Sequence, residues 1–184
     1  NVFFLSNYAV KMAFASLNLI WPFLQLISAA GFMFGSGGSA LTAFVLGTGD
    51  EKKANEIFTM LVMVLGVIGV VISAVGFVFM PQIAVILGAD EYLIDDCVLY
   101  GRILICANPL FMMQNAYQSF LVTAERPRFG LGIAIMAGLI NGLLDFFLVA
   151  VFPLGVWGAG LATALSQIAG GLVPTIYFMR KNKS

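Results

Sequence analysis

The feature that most constrains this chain is a succession of long apolar runs that hold few charged residues. The hydrocarbon core of a bilayer is about 30 Å thick and is crossed by about 20 helical residues. Five runs reach that length, and a shorter one precedes them. We therefore predict an all-α integral membrane protein, a polytopic bundle of about five full transmembrane helices plus a partial first helix. The runs are Val2–Ala9, Met12–Leu46, Ile57–Met80, Leu93–Val122, Phe129–Phe152 and Val156–Met179.

The composition excludes most other classes of protein. The chain is 61% hydrophobic and 10% charged, whereas soluble domains are about 45–50% apolar and about 25% charged. Nine basic residues balance nine acidic ones, so we expect the lipid bilayer and no nucleic acid as a partner. Because the sequence has no histidine, it offers no histidine-based metal site or catalytic triad. No segment between the runs is long enough for a soluble domain, so we expect residues 1–184 to form a single transmembrane helical lobe.

Basic residues fall in alternate loops, which predicts the orientation of the bundle. Seven of the nine lie after the second run, after the fourth run or in the tail. Positively charged loops face the cytoplasm, so we expect a multi-pass protein of the cell membrane with a cytoplasmic tail. The seven are Lys52, Lys53, Arg126, Arg128, Arg180, Lys181 and Lys183.

One carboxylate, Asp145, lies well inside an apolar run, where a charge is costly and is usually functional. Asn141 lies one helical turn before it, on the same face. The turn 153–155 follows eight residues after Asp145, and Thr163 lies eight residues beyond Gly155. Equal distances from a tight hairpin place these side chains at equal depth, where they offer oxygen ligands for Na+ or a carboxylate for a proton. Alternatively, Asp145 reaches the outer interface or closes the hairpin.

Other polar residues inside the runs are candidates for the lining of a cavity. Arg102 either serves a substrate or a gate, or reaches outward to Asp95 or Asp96. Amides in membrane helices also often bond a neighbouring helix. The candidates are Arg102, Asn108, Gln114 and Gln118.

Three pairs of glycines have a spacing that lets helix backbones approach closely, and we interpret them as packing motifs. They are Gly31 with Gly35, Gly138 with Gly142, and Gly158 with Gly160.

Three stretches of the sequence resemble the multidrug and toxic compound extrusion (MATE) transporters. They are similar to that family's second helix with its Gly-x-Gly-Asp loop, to its fourth helix with the following loop, and to helices five and six. The stretches are Gly35–Ala54 with Gly47-Thr48-Gly49-Asp50, Tyr100–Pro109 followed by Ala124–Pro127, and Asn141–Gln167.

The resemblance implies a twelve-helix antiporter made of two six-helix lobes. This chain would supply the amino-terminal lobe from late in helix one to helix six, which agrees with its start inside an apolar run. In the family, an Asn and an Asp on helix five and a Thr on helix six contribute to a cation site. These correspond to Asn141, Asp145 and Thr163. A further family carboxylate on helix one falls at or just before Asn1.

We therefore expect a lobe of an antiporter that is coupled to Na+ or H+ and exports organic, often cationic, drugs or toxic compounds. Its partners would be the bilayer, a second lobe and a small organic substrate, with no cofactor besides the coupling ion. The alternatives are a lipid-headgroup flippase of similar fold and a non-transporting membrane assembly subunit. An enzyme is not expected, because the sequence lacks a nucleophile–base pair and a metal cluster.

The orientation can be tested with single cysteines, after Cys97 and Cys106 have been replaced by serine. Because Asp90 is expected outside and Lys53 in the cytoplasm, a membrane-impermeant maleimide added to intact cells should label Asp90→Cys and not Lys53→Cys. Permeabilised cells should show both labelled, as the control. The reverse pattern in intact cells would refute the orientation.

Overall fold

The computed structural model describes residues 2–152 and 154–180, with side chains for 14–149, 151–152 and 154–180. Within these ranges the chain is helical, with no strand. Five helices are long and apolar enough to cross a membrane. The helices are α1 (Val2–Gly47), α2 (Glu51–Ile86), α3 (Ile94–Thr123), α4 (Pro127–Asp145), which continues as a π-helix (Phe146–Val151), and α5 (Gly155–Met179).

The prediction of an all-α bundle with five long helices is confirmed. The predicted partial helix Val2–Ala9 is not a separate element, because it runs without a break into the first long helix. No glycine or proline lies between Ala9 and Met12, so the hydrogen-bond ladder of a helix can continue through this segment. The fifth predicted span also differs, since its last part is π-helical rather than α-helical.

Polar side chains and glycines define the ends of the helices. Asp50 caps α2, since its carboxylate accepts a hydrogen bond from the Lys53 N–H at 3.0 Å. The chain leaves α2 through Gly88, whose φ of +100° is a conformation that glycine adopts readily. Asp90 then accepts a hydrogen bond from the Leu93 N–H at 3.0 Å just before α3 begins. Short polar turns therefore join helices that run in opposite directions.

Helix α3 is the centre of the bundle and packs against the other four helices. Helix α3 runs parallel to α1 and α5, because residues later in α3 contact residues later in each of those helices. It runs antiparallel to α2. Tyr100, Ile105 and Met112 are among its buried side chains. The outer helices expose large apolar residues instead, for example Val67 on α2 and Leu139 on α4. Such a distribution fits a bundle whose outer surface meets lipid.

Helix α1 packs on α3 through small residues. The backbone of Gly31 lies directly against Met112, and that of Gly35 against Ala116, so a side chain at either glycine would collide with α3. At one end of this seam the Ser28 hydroxyl donates a hydrogen bond to the Asn108 side-chain oxygen at 2.8 Å. The predicted packing role of the Gly31 and Gly35 pair is confirmed.

The other two glycine pairs behave differently from each other. Gly158 lies against the carbonyl of Leu148 and Gly160 against the side chain of Ile103, so this pair packs as predicted. Gly138 and Gly142 face open space, since a Cβ atom at either position would meet no atom of another described helix within 4 Å. The prediction that this pair packs was therefore wrong for the described residues. The spacing alone does not say which face of α4 is covered.

The two kinds of glycine predict different responses to substitution. Gly31→Ala should destabilise the protein by roughly 1–3 kcal/mol, because the added methyl group meets the backbone of α3. Gly138→Ala should leave stability unchanged or raise it by up to about 1 kcal/mol, because alanine favours the helix and nothing obstructs it. Thermal unfolding of the purified protein in detergent measures both, and equal melting temperatures would contradict the packing described here.

Candidate functional site

The hairpin formed by α4 and α5 brings two of the predicted polar residues into contact. The side-chain amide of Asn141 donates a hydrogen bond to the Thr163 hydroxyl at 3.4 Å, and both side chains are partly buried. The two helices are antiparallel. Gly158 lies against Leu148 near the turn, and Phe129 lies against Tyr177 at the other end of the hairpin. In each of these pairs the residue before the turn lies farther from it than its partner on α5, so equal distances from the turn do not give equal depth in this hairpin.

A third helix contributes Tyr100, which the sequence reasoning did not identify as a site residue. Tyr100 is on α3 and is only 3% exposed. Its hydroxyl shares a side-chain hydrogen bond with Thr163, and it lies close enough to Asp145 for the two groups to interact electrostatically. A tyrosine buried among apolar residues usually has a hydrogen-bond partner for its hydroxyl. This preference was the signal in the sequence that could have identified Tyr100 as a site residue. The partner itself depends on how α3 and α5 pack.

Asp145 lies where the α-helical part of α4 ends and the π-helix begins. Its side chain is partly exposed, and within the described residues it has no salt bridge and no hydrogen bond. π-Helical segments are rare and frequently occur at functional sites. A carboxylate at membrane depth without a counter-charge is able to bind a cation or a proton.

The π-helix is held against the start of α5. The Leu154 N–H donates a hydrogen bond to the Leu148 carbonyl at 3.1 Å. Gly158 lies against the same carbonyl, where a larger residue would not fit. These contacts hold the segment that directly follows Asp145 against α5.

The four candidates for cavity lining occupy different seams of the bundle, and the structure does not bring them together. Arg102 turns to α2, where its Nε donates to the Phe77 carbonyl at 3.2 Å and its guanidinium lies 5.0 Å from the centre of the Phe77 ring, rather than reaching Asp95 or Asp96. Asn108 is 2% exposed and accepts the hydrogen bond from Ser28.

The two glutamines both lie between α3 and a later helix. The Gln114 amide packs against the backbone of Gly170 on α5. Gln118 donates to the Gly130 carbonyl on α4 at 3.2 Å. Both positions are explained by contact between helices.

The described site residues offer oxygen ligands with a single carboxylate. Among the described residues, no group of three or more His, Cys, Asp or Glu side chains could hold a metal ion together. The hairpin instead combines one carboxylate with neutral amide and hydroxyl groups. Oxygen atoms of these kinds are ligands of hard cations.

Comparison with known proteins identifies the family. The sequence model of the MatE family matches residues 1–147. The chain belongs to the MatE family. The resemblance to MATE transporters inferred from the sequence is therefore confirmed, and the members of that family are transporters, not enzymes.

Curated relatives carry names of drug exporters. The chain is 28% identical over 185 residues to the multidrug export protein MepA of Staphylococcus haemolyticus, covering 100% of this chain and 41% of MepA. It is 29% identical over 175 residues to the probable multidrug resistance protein YoeA of Bacillus subtilis, covering 93% of this chain and 38% of YoeA. The chain thus spans about 40% of the length of these relatives.

Solved structures share the fold. A crystal structure of MATE in the bent conformation matches with a TM-score of 0.88 at 20% identity, over 94% of this chain and 39% of that one. An inward-facing conformation of a multidrug resistance MATE family transporter of the MOP superfamily matches with a TM-score of 0.84 at 21% identity, over 94% of this chain and 39% of that one. The described helices therefore adopt the arrangement of part of a MATE transporter.

A double-mutant cycle tests the contact that joins α3 to the hairpin. Tyr100→Phe and Thr163→Val each remove one partner of the same hydrogen bond. Their effects on the free energy of unfolding should therefore be non-additive by about 0.5–1.5 kcal/mol.

The matched control combines Tyr100→Phe with Thr175→Val, since Thr175 bonds Tyr117 instead, at 3.3 Å. That pair should be additive, because about three helical turns of α5 separate Thr163 from Thr175. A coupling energy of zero for Tyr100 and Thr163 would remove Tyr100 from the site.

Proposed function

We propose that this chain forms the amino-terminal lobe of a two-lobe antiporter, coupled to Na+ or H+, that exports organic, often cationic, compounds across the cell membrane. The observation that carries the proposal is the unpaired Asp145 carboxylate beside the contact between Asn141 and Thr163. The family of the chain and the names of its relatives support the export of drugs as the function of the whole protein. A second lobe and a cytoplasmic tail belong to the same proposal.

Asn141 and Thr163 have complementary roles at this site. The Asn141 amide nitrogen is engaged with the Thr163 hydroxyl, which leaves the amide oxygen available to a cation. The Tyr100 hydroxyl also shares a hydrogen bond with Thr163. A cation at Asp145 would thus meet the carboxylate and an amide oxygen whose group is held by Thr163, and a proton would need the carboxylate alone.

Coupling follows from the difference in charge between the loaded and the empty site. An empty Asp145 carries a charge that favours a conformation with access to water, whereas a bound Na+ or proton neutralises it and favours burial. A ligand shifts an equilibrium between conformations only by the difference in its affinity for them. Cation entry would therefore drive one change of the lobe, and export of the substrate would accompany the reverse change.

The flippase alternative lacks a supporting observation. A lipid phosphate requires a basic cavity, and among the side chains that the structure describes the base inside a span is Arg102. That guanidinium is occupied by the carbonyl and the ring of Phe77 on α2. A non-transporting subunit remains an outcome of the following experiment.

Replacing Asp145 tests the coupling role directly. Asp145→Asn keeps the size of the side chain and removes the charge that is switched by the ion, so the intact transporter should fold normally and lose ion-dependent export. Asn141→Ala and Thr163→Ala should weaken ion dependence less, because each removes one neutral group. The measurement is efflux of a fluorescent drug from proteoliposomes under an imposed Na+ or H+ gradient, with equal amounts of protein.

Asp95→Asn is the matched control, since Asp95 is an exposed carboxylate in the first turn of α3. It should transport like the unmodified protein. Wild-type export by Asp145→Asn would make Asp145 structural and overturn the coupling site. Absence of export by the unmodified protein under any gradient would favour the assembly subunit.

A further inference from the structure

Helix α2 runs through a proline, which deprives one of its backbone carbonyls of the usual donor. Pro81 lies inside α2, which continues to Ile86. A proline has no backbone N–H, so the carbonyl four residues earlier, that of Phe77, receives no hydrogen bond from position 81. In the hydrocarbon core of a bilayer no water replaces the missing donor. Another part of the protein has to satisfy such a carbonyl.

Arg102 on α3 supplies the missing donor. Its Nε donates a hydrogen bond to the Phe77 carbonyl at 3.2 Å, and its guanidinium lies 5.0 Å from the centre of the Phe77 ring. A hydrogen bond from a charged donor is stronger than one from a neutral group. Arg102 therefore takes the place that the N–H of residue 81 would have in an uninterrupted helix.

Close packing of α2 on α3 places Arg102 level with this carbonyl. Gly76 lies against the side chain of Ile105, and Gly101 lies against that of Met80. These contacts flank Phe77 on α2 and Arg102 on α3. Because Met80 is completely buried, the two helices have little room to slide past each other at this depth.

We propose that α2 contains a hinge at Pro81 and that Arg102 is the clamp that holds this hinge in one bend. Helices bend sharply at prolines, because the ladder of backbone hydrogen bonds is interrupted there. The segment after the hinge, residues 82–86, contributes Ala84 to the buried cluster that also contains Tyr100. The clamp thus positions the end of α2 against the part of α3 that carries Tyr100, two residues before Arg102. It acts within the fold, whichever ion or compound is transported.

Removing the proline should make the clamp dispensable. Arg102→Met keeps the length of the side chain and removes the donor, so it should lower the melting temperature by about 3–6 °C, the loss of one charge-assisted hydrogen bond. In a Pro81→Ala background the N–H of residue 81 donates to the Phe77 carbonyl, and the same substitution should lower the melting temperature by less than about 2 °C. Comparing the two backgrounds cancels the effect of removing the charge itself. Thermal unfolding is measured on the intact transporter in detergent.

The matched control background is Pro22→Ala, since Pro22 lies inside α1. This substitution restores a donor to the Asn18 carbonyl and leaves the Phe77 carbonyl dependent on Arg102, so Arg102→Met should cost as much there as in the unmodified protein. Equal losses in the two alanine backgrounds would overturn the proposal. If Arg102→Met alone yields no folded protein, its combination with Pro81→Ala should yield it, and failure of both to fold would also overturn the proposal.

A distance measured across the hinge separates a clamp from general stabilisation. Val67 and Val85 are exposed on α2 before and after Pro81, about 27 Å apart along a straight helix. Spin labels are attached to Val67→Cys and Val85→Cys after both native cysteines have been replaced by serine. Pulsed electron paramagnetic resonance should give a narrow distance distribution with Arg102 present, a broader one for Arg102→Met, and a narrow one again when Pro81→Ala is added. An unchanged width in Arg102→Met would show that Arg102 holds no hinge.

Discussion

The structure depends on close backbone contact between α3 and its neighbours. In a bilayer the lipid tails are as apolar as the side chains, so helices associate through packing and hydrogen bonds rather than through exclusion of water. Three neighbours present glycine to α3, with Gly31 and Gly35 on α1, Gly69 on α2 and Gly171 on α5. These contacts are made largely with the backbone of α3, which has no room to yield. The register of the whole bundle follows from them.

The proposed cation site is a consequence of this register. Gly160 lies against Tyr100 and Ile103, and this approach of α5 to α3 brings the Tyr100 hydroxyl to Thr163. On the opposite side of α3, Gly31 against Met112 sets the separation at which Gln25 and Asn115 line one pocket. A shift of α5 or α1 by one helical turn along α3 would separate the groups that face each other.

The sequence predicted those features that depend on one helix or one hairpin. Apolar runs predicted the five long helices, and the hairpin pattern grouped Asn141, Asp145 and Thr163, of which Asn141 and Thr163 are in contact. Tyr100 was missed because its partner comes from a helix distant in sequence. The open positions of Gly138 and Gly142 were misjudged because a spacing does not reveal which face is covered. The π-helix after Asp145 was not foreseen, since a shift in hydrogen bonding has no clear signature in composition.

The polar residues inside this bundle separate into two groups by whether the fold satisfies them. Gln118 donates to Gly130, Thr175 to Tyr117 and Ser28 to Asn108, so these side chains join helices. Asp145, Gln25 and Asn115 have no such hydrogen bonds within the described residues. At membrane depth an unsatisfied polar group destabilises the folded state, and packing does not compensate for this. The cation proposed at the hairpin would complete one of these groups, the Asp145 carboxylate.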